Sequence, residues 1–531
     1  MRPSIIFSSI LAFSQLSAST LTDIVLEGSS EQELVQEQHI TFQGLNLPGG
    51  SQKLVSQLQV FLGQPLTEEL LKDVKQTVLS HYQEEGYPFV VAAIPKQNVS
   101  KGSMSIRLLE GVVGEISYEG NKWFSDGTLG RFIHLKEGET IHQNTLLNDV
   151  TSLNRNHFHS TEVVVAPGKK YGTTDVKLVT QDRFPLRVYA GADNTGIDIT
   201  GEERYFAGFS WGNAWGIGDL LTYQWTTAES PHLFNSHYLG YTSYFSWYHT
   251  LKLYGAYAEI HPKMKDFSSE GRLIQGSFRY GIPFKPLYAD FRSEINIGAD
   301  FKRTNSSLFF GDTFNTVPLV TKNVNLTQLA LSYEIDYKFP HNQLTFNIAA
   351  YVSPAEWIPD QTKADFNSLR ADAKPRYGYG DFSLGDVYTR KHGSIMALLR
   401  GQAATGPLLP SEQFGLGGFA TVRGYDERDF DSDDAVCFNF ELRSPQIRLF
   451  GSKAKNNLYF LAFFDYGLGH NYHNELKGIP ATEYLMSAGP GVRLLMYPYL
   501  TARLDYGFQL HRLHLPTQTF GKLHFSLTAS Y

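Results

Sequence analysis

From Leu186 to Tyr531 apolar and polar side chains alternate in segments of about ten residues, broken by Gly, Pro, Asn and Asp. Thr327 to Phe339 carries the pattern most fully. Leu329, Leu331, Tyr333, Ile335, Tyr337 and Phe339 alternate there with Gln328, Ser332, Glu334, Asp336 and Lys338. Successive side chains of a strand point to opposite faces of the sheet. A pattern kept through so many segments requires one face in lipid and the other in water, which is the arrangement of a membrane barrel. A large soluble β-sandwich would bury its apolar face against a second sheet, but it leaves the export signal and the mixed α+β region described below unexplained.

Segments beginning near residues 186, 203, 219, 237, 252, 270, 288, 325, 342, 376, 393, 435, 457, 486, 500 and 522 predict sixteen antiparallel strands. An even count brings both ends of the barrel to one side of the membrane. With the amino terminus periplasmic, the longer connections, 305 to 324, 353 to 375, 404 to 434 and 470 to 485, fall outside the cell. No run approaches the ~18 apolar residues of a membrane helix, and barrel strands need none. The 30 tyrosines, 37 phenylalanines and 47 glycines suit such a barrel. A net charge of −7 gives no basic surface for nucleic acid, and the single Cys437 excludes an internal disulfide framework.

Ahead of the barrel, residues 1–19 read as a secretory signal: Arg2, the apolar stretch Ile5 to Phe13, then Ser17-Ala18-Ser19 as small residues for cleavage. Residues 20–38 are a short polar segment bearing Glu27, Glu31, Glu33 and Glu37. From His39 to Gly111 the pattern is strand, helices, strand, strand. Thr67-Glu68-Glu69 starts a helix with a cap and acids at its positive end. Residues 112–182 repeat the layout, with helices over Phe124 to Ile133 and Gln143 to Asn154. His157 and His159 lie between helix and strand and read as a loop pair, because no cluster of further Cys or His ligands surrounds them.

The short motifs narrow the family. Val422-Arg423-Gly424-Tyr425 resembles the VRGY tip of the loop that folds back into the barrel of TpsB transporters, the outer-membrane half of two-partner secretion (type V secretion, haemolysin secretion/activation proteins). Phe464-Asp465-Tyr466-Gly467, 42 residues later, resembles the element that receives that arginine. GYPFVVAAIPKQNVSKGSMSIRLLEG resembles the end of the first POTRA domain of the same family. The closing KLHFSLTASY, ending at Tyr531, resembles the assembly signal of outer-membrane proteins. The resemblance implies a transmembrane β-barrel of sixteen antiparallel strands preceded by two α+β POTRA domains. The first POTRA domain is expected at 39–111, the second at 112–182, the barrel at 186–531 and the inward-folding loop at 404–434. A full-length plug helix before the first domain has little room in some nineteen residues.

Parity places the lumen groups. In strand twelve Val436, Phe438, Phe440 and Leu442 face lipid, so Cys437, Asn439, Glu441 and Arg443 face the lumen. Asp465 faces inward on strand thirteen, Arg493 on strand fourteen, and Arg503 and Asp505 on strand fifteen. Arg423, entering this space, is expected to meet Asp465 in a bidentate pair that fixes the loop. Because the lumen is wet, the expected worth of that pair is about 1–3 kcal/mol, between buried and exposed limits. Asp426, Glu427, Asp429, Asp431, Asp433 and Asp434 lack the glycine of a calcium loop and read as solvated extracellular acids. Gly208-Phe209-Ser210-Trp211-Gly212 matches a nucleophile elbow by letter only, since it alternates as a strand.

The resemblance implies a non-enzymatic translocase without metal or cofactor. Its POTRA domains would recognise an unfolded TpsA-like exoprotein in the periplasm and its barrel would pass the chain outward. Its other partners would be outer-membrane lipid and the barrel-assembly machinery for its own insertion, with no nucleic acid. An insertase of the same superfamily and, from another class, a passive diffusion porin are the alternatives. The Gln97-x-x-x-x-Gly102 form favours secretion over insertion, and a porin needs no POTRA domains.

Overall fold

The computed structural model describes residues 19–28, 34–45, 47–262, 267–284, 290–310, 317–449, 456–473, 480–513 and 520–531. The expected signal, 1–19, lies outside them except for Ser19. The chain divides into two compact units. The first runs to Glu119 and includes His134–Leu147 and Glu162–Val179; the second comprises Gly120–Ile133, Asn148–Thr161 and Thr180–Tyr531.

The first unit contains a five-stranded sheet in the order Val35–Glu37, Ile40–Gln43, Asp23–Glu27, Ser103–Glu110, Val90–Ala93. Its middle strand, Asp23–Glu27, pairs in parallel with both neighbours. The segment 20–38 is therefore more than a polar lead-in. Ile24 and Leu26 alternate with Asp23, Val25 and Glu27, and burying those two side chains under the helices commits the segment to the sheet. Helices Ser51–Gln59 and Glu68–Glu84 cover it with Leu54, Leu58, Val74 and Val78. Thr67 caps the longer helix as expected, its hydroxyl accepting from the Leu70 amide at 3.1 Å. The Gln97 and Gly102 signature has a physical cause. The Gln97 amide donates to the Ser105 carbonyl at 2.7 Å and accepts from the Ser105 N–H at 2.6 Å, as a paired strand residue would. Gly102 turns at φ 81°, where a Cβ would stand 2.6 Å from the Thr20 carbonyl oxygen.

A three-stranded sheet follows, in the order Val112–Glu119, Thr173–Asp182, His159–Pro167. Its helical residues in 120–133 and 148–161 belong to the second unit and are bolted to two turns of the barrel. Thr128 donates to the Gly216 carbonyl at 3.0 Å and Arg131 to the Ile217 carbonyl at 2.5 Å. Arg155 donates to the Tyr248 carbonyl at 2.6 Å and stands 3.5 Å from Glu294. His159 is buried edge-on to Phe124, with ring centroids 4.6 Å apart, and burial lowers its pKa to about 4.

The barrel closes through sixteen long strands, Leu186–Asp193 through Gly521–Ser530, each pairing antiparallel with the next. Fifteen of the sixteen strand starts fall within four residues of the alternation in the sequence; strand eight begins at Val317, eight residues before the expected 325. The seam between strand sixteen and strand one is held by only five residue pairs, Ser526↔Asp193 to Ser530↔Tyr189. The expected connection at 305 to 324 is mostly strand, because strand seven runs Phe291–Phe310 and strand eight Val317–Lys338. A hairpin that has left the membrane needs no apolar face, so its sequence there reads as a loop. The connection 353 to 375 holds a short helix, Lys363–Leu369, with a capping box between Thr362 and Asp365.

Candidate functional site: a loop bound across the lumen

The loop after strand eleven (Gly393–Ala404) returns into the barrel as a narrow hairpin, Phe414–Leu416 paired with Phe430–Ser432. Leu416, Val422, Tyr425 and Phe430 form its apolar underside and bury against Cys437, Leu485 and Leu513. The hairpin thus presses one face on the lumen wall and carries Arg423 at its tip.

Arg423 and Asp465 meet as the parity argument expects. Nε donates to one carboxylate oxygen at 2.7 Å and Nη2 to the other at 2.8 Å, and the Arg423 amide adds a third bond at 3.1 Å. The remaining guanidinium nitrogen, Nη1, donates to Glu441 at 2.7 Å and lies 3.5 Å from Asp505. The guanidinium lies 3.6 Å from the ring centre of Phe463. All the lumen charges singled out in the sequence join this cluster. Arg443 pairs with Glu441 at 2.7 Å, and Arg493 and Arg503 pair with Asp505 at 2.6 and 2.7 Å. The site is drier than a wet lumen suggests: Arg423 is 3 % exposed and Asp465 0 %. Desolvation on that scale moves the worth of the pair toward the buried limit, about 3–5 kcal/mol on losing one partner.

The rest of the tip is held through its backbone. Gly424 adopts φ 93°, and a Cβ there would stand 2.7 Å from the Gly507 carbonyl oxygen, which glycine alone tolerates. Its N–H donates to His524 Nε2 at 2.9 Å and its carbonyl accepts from Gln509 at 2.8 Å. The Tyr425 hydroxyl donates to the His511 carbonyl, lies 3.0 Å from the Met486 carbonyl and accepts from the Met486 amide at 3.2 Å. Arg400, Asn439 and Arg503 take the Ala420, Thr421 and Phe419 carbonyls. Val422 is wholly buried. Parity had placed Asn439 in the lumen; its backbone partner, and the part played by His524, had no signal in the sequence.

The base of the loop grips a different arc of the wall. Glu412 is 4 % exposed and accepts from Lys302 of strand seven at 2.7 Å, Gln328 of strand eight at 3.3 Å and Tyr379 of strand ten (Tyr377–Arg390) at 2.9 Å. Asp433 is fully buried and takes both arms of Arg370, which follows the capped helix. This corrects the reading of the acidic run as solvated. Glu427 accepts from the Phe419 amide, Asp429 from the Asp426 amide, Asp431 from Arg428 and Asp434 from the Ala404 amide; only Asp426 is exposed, beside Lys522. The acids cluster because a tight hairpin must satisfy its own amides, which carboxylates do well. Ser210 lies within strand two (Arg204–Ala214), laddered to Thr222 and Arg187, so no elbow forms there.

α+β modules, a closed sixteen-stranded barrel and a loop returned into its lumen define an outer-membrane transporter of the POTRA–barrel class. The chain belongs to the haemolysin secretion/activation protein ShlB/FhaC/HecB family, whose model matches residues 172–494; a ShlB-type POTRA domain matches 36–111. The heme/hemopexin transporter protein HuxB of Haemophilus influenzae is 23 % identical over 82 % of this chain and 77 % of its own length. The outer membrane transporter CdiB of Dickeya dadantii is 21 % identical over 77 % of this chain and 71 % of its own. The solved structure of CdiB from Escherichia coli shares the fold at a TM-score of 0.79, with 17 % identity, covering 99 % of this chain and 93 % of that one. Members of the family secrete partner exoproteins through the outer membrane, and the POTRA region of this chain lies on the periplasmic side.

Proposed function

We propose that this chain secretes an unfolded TpsA-like exoprotein and that the loop 404–434 is the resting closure of its pore. The observation that carries the closure is the double attachment. The tip is fixed to strands twelve to sixteen and the base to strands seven, eight and ten, so the loop crosses the lumen. Transport then requires the tip to leave its carboxylates. The work is done by binding and release, with no chemical step and no cofactor.

Capture is assigned to the edges of the α+β sheets. Val35–Glu37, Val90–Ala93 and His159–Pro167 are edge strands, and Val91 is 61 % exposed. Such an edge adds an extended segment through main-chain hydrogen bonds, with little demand on its sequence. The expected start of the first module at 39 moves forward, because Asp23–Glu27 is the middle strand of its sheet; the modules of this proposal are 20–111 and 112–182. Removing 39–111 is expected to leave a folded, heat-modifiable barrel that no longer secretes; undiminished export of the partner would overturn the reading. Deleting Gly415 to Asp429 is expected to raise single-channel conductance in a planar bilayer, and unchanged conductance would remove the loop from the pore.

A further inference from the structure

The periplasmic rim of the barrel carries a belt of aromatic rings. Tyr499 and Tyr531 are exposed there with ring centroids 6.4 Å apart. Tyr531 carries the ladder of strand sixteen onto strand one, its N–H donating to the Val188 carbonyl at 2.9 Å. Trp211 ends the outward row of strand two and meets the exposed Trp215 edge-on at 5.2 Å. Aromatics at this level are the usual anchors of a barrel. One ring of the belt does not come from the barrel. Trp123, on the turn after Val112–Glu119 of the three-stranded sheet, is 48 % exposed and packs edge-on to Phe184 at 5.0 Å.

Phe184 belongs to the lipid-facing row. Leu186 and Val188 are the first outward residues of strand one, and both are exposed. The ladder reaches one residue further back, because the Gly212 amide donates to the Pro185 carbonyl at 2.6 Å. Two positions before Leu186, Phe184 extends the same row and is 55 % exposed. Its neighbour Arg183 turns the other way, over the buried ring of Phe158 at 4.8 Å. A tilted strand needs about 9–11 residues to cross the bilayer, and strand one, Leu186–Asp193, has eight. Phe184 and the indole against it therefore complete the crossing.

The turn holds Trp123 in that position. The Asp182 carboxylate accepts the N–H groups of Lys122, Trp123 and Phe124 at 2.8, 2.6 and 3.0 Å. The Trp123 carbonyl accepts from the Asn213 amide of the barrel at 3.0 Å. Phe124 is buried, so the turn sends one ring inward and the preceding one outward. Lys122, exposed beside the indole, has the flexible stem and charge that suit the headgroup level.

We infer that Trp123 enters the inner leaflet of the outer membrane, so that the segment 120–133 is anchored in lipid as well as bolted to the barrel turns. The occupant of this face is the bilayer, because the face is continuous with rows that already meet lipid. A chain passing through the lumen meets the opposite side of strand one. An indole suits the place, with its ring among the upper acyl carbons and its N–H toward the headgroups.

Tryptophan emission of the full-length protein in phosphatidylcholine nanodiscs tests this, with phosphatidylcholine brominated in its acyl chains as the quencher. The chain has six tryptophans, so W211F/W215F/W225F/W247F/W357F keeps Trp123 alone. Its emission is expected to be largely lost on bromination. The companion W123F/W211F/W215F/W225F/W247F keeps only Trp357, exposed on the connection 353 to 375, and is expected to retain its emission. If five substitutions prevent assembly, W123F in the otherwise native protein gives the same reading. The emission lost to bromine is then expected to be smaller than in the wild type, and equal to it if Trp123 stands in water. Trp123 emission that survives bromination as Trp357 emission does overturns the proposal. So does emission that bromine leaves unchanged but an added exoprotein fragment shifts, which would assign the face to the secreted chain. Emission that follows the number of copies per disc, and not bromine, would assign it to a second copy and overturn the proposal equally.

Discussion

Two arginines hold the same loop, Arg423 at its tip and Arg370 at its base, and each grips a buried aspartate with both arms of its guanidinium. The surroundings differ. Without the Arg423 guanidinium, Asp465 keeps the Asn439 amide at 2.8 Å and the backbone amide of the tip at 3.1 Å, in a space that also holds Glu441 and Asp505. Without Arg370, Asp433 still receives the Leu408 amide at 2.9 Å and the Tyr472 amide at 3.0 Å. A carboxylate with two backbone donors and no acid beside it stays satisfied when its cation leaves; one crowded by two further carboxylates, whose only backbone donor departs with the tip, does not. The tip is therefore the all-or-none contact and the base the graded one, as expected if the tip is released and the base acts as its hinge.

The largest expected effect comes from breaking the tip. Arg423→Ala and Asp465→Ala should each cost about 3–5 kcal/mol of loop docking and cut secretion by more than tenfold, while the barrel remains heat-modifiable. Both remove one contact, so the double variant should be little worse than either single. A cycle of secretion rates with strictly additive losses would show that the two residues act independently.

Gly424→Ala comes next. The left-handed conformation alone costs about 1–3 kcal/mol for a residue with a side chain, and the contact with the Gly507 backbone adds to it. Single-channel recordings should show more frequent open events with every tip charge still in place. Recordings like those of the wild type would mean that backbone fit at the tip does not hold the pore shut.

Arg370→Ala should act on the base alone, at about 1.5 kcal/mol. Amide hydrogen exchange should quicken over 404–413 and leave 419–425 protected. Equal loosening of both stretches would erase the distinction between tip and base.

The smallest effect is one of pH, in the capped helix that precedes Arg370. Hydrogen bonds from Lys322 and then Thr362 lower the Asp365 carboxyl to about 2. A depressed carboxyl stabilises the folded loop above its unfolded value near 3.8 and loses that contribution as pH falls toward about 2. Exchange in Lys363–Leu369 should therefore rise between those limits, and Asp365→Asn should abolish the dependence. An unchanged pH profile in that variant would place the titration elsewhere.

Much of this protein is written in local order. Period-two alternation is a property of neighbours, so it revealed the strand number, every strand start but that of strand eight, and the side each residue faces, Asp465 and Glu441 included. The tip motif and Gln97 with Gly102 were legible for a related reason, since each meets a backbone requirement within a few residues. What lay beyond reach depends on closure. Closing the barrel brings Lys302, Gln328 and Tyr379 to one acid on the loop, and it sets Arg370 opposite Asp433 across 63 positions of sequence. Nor did composition reveal that Asp23–Glu27 is the middle of a sheet, because two buried side chains suffice for a strand covered by helices. Pairing across the lumen is decided by stagger, by the path of the loop and by how much water is expelled. Those are properties of the closed structure, and they turned an expected wet ion pair into a buried one.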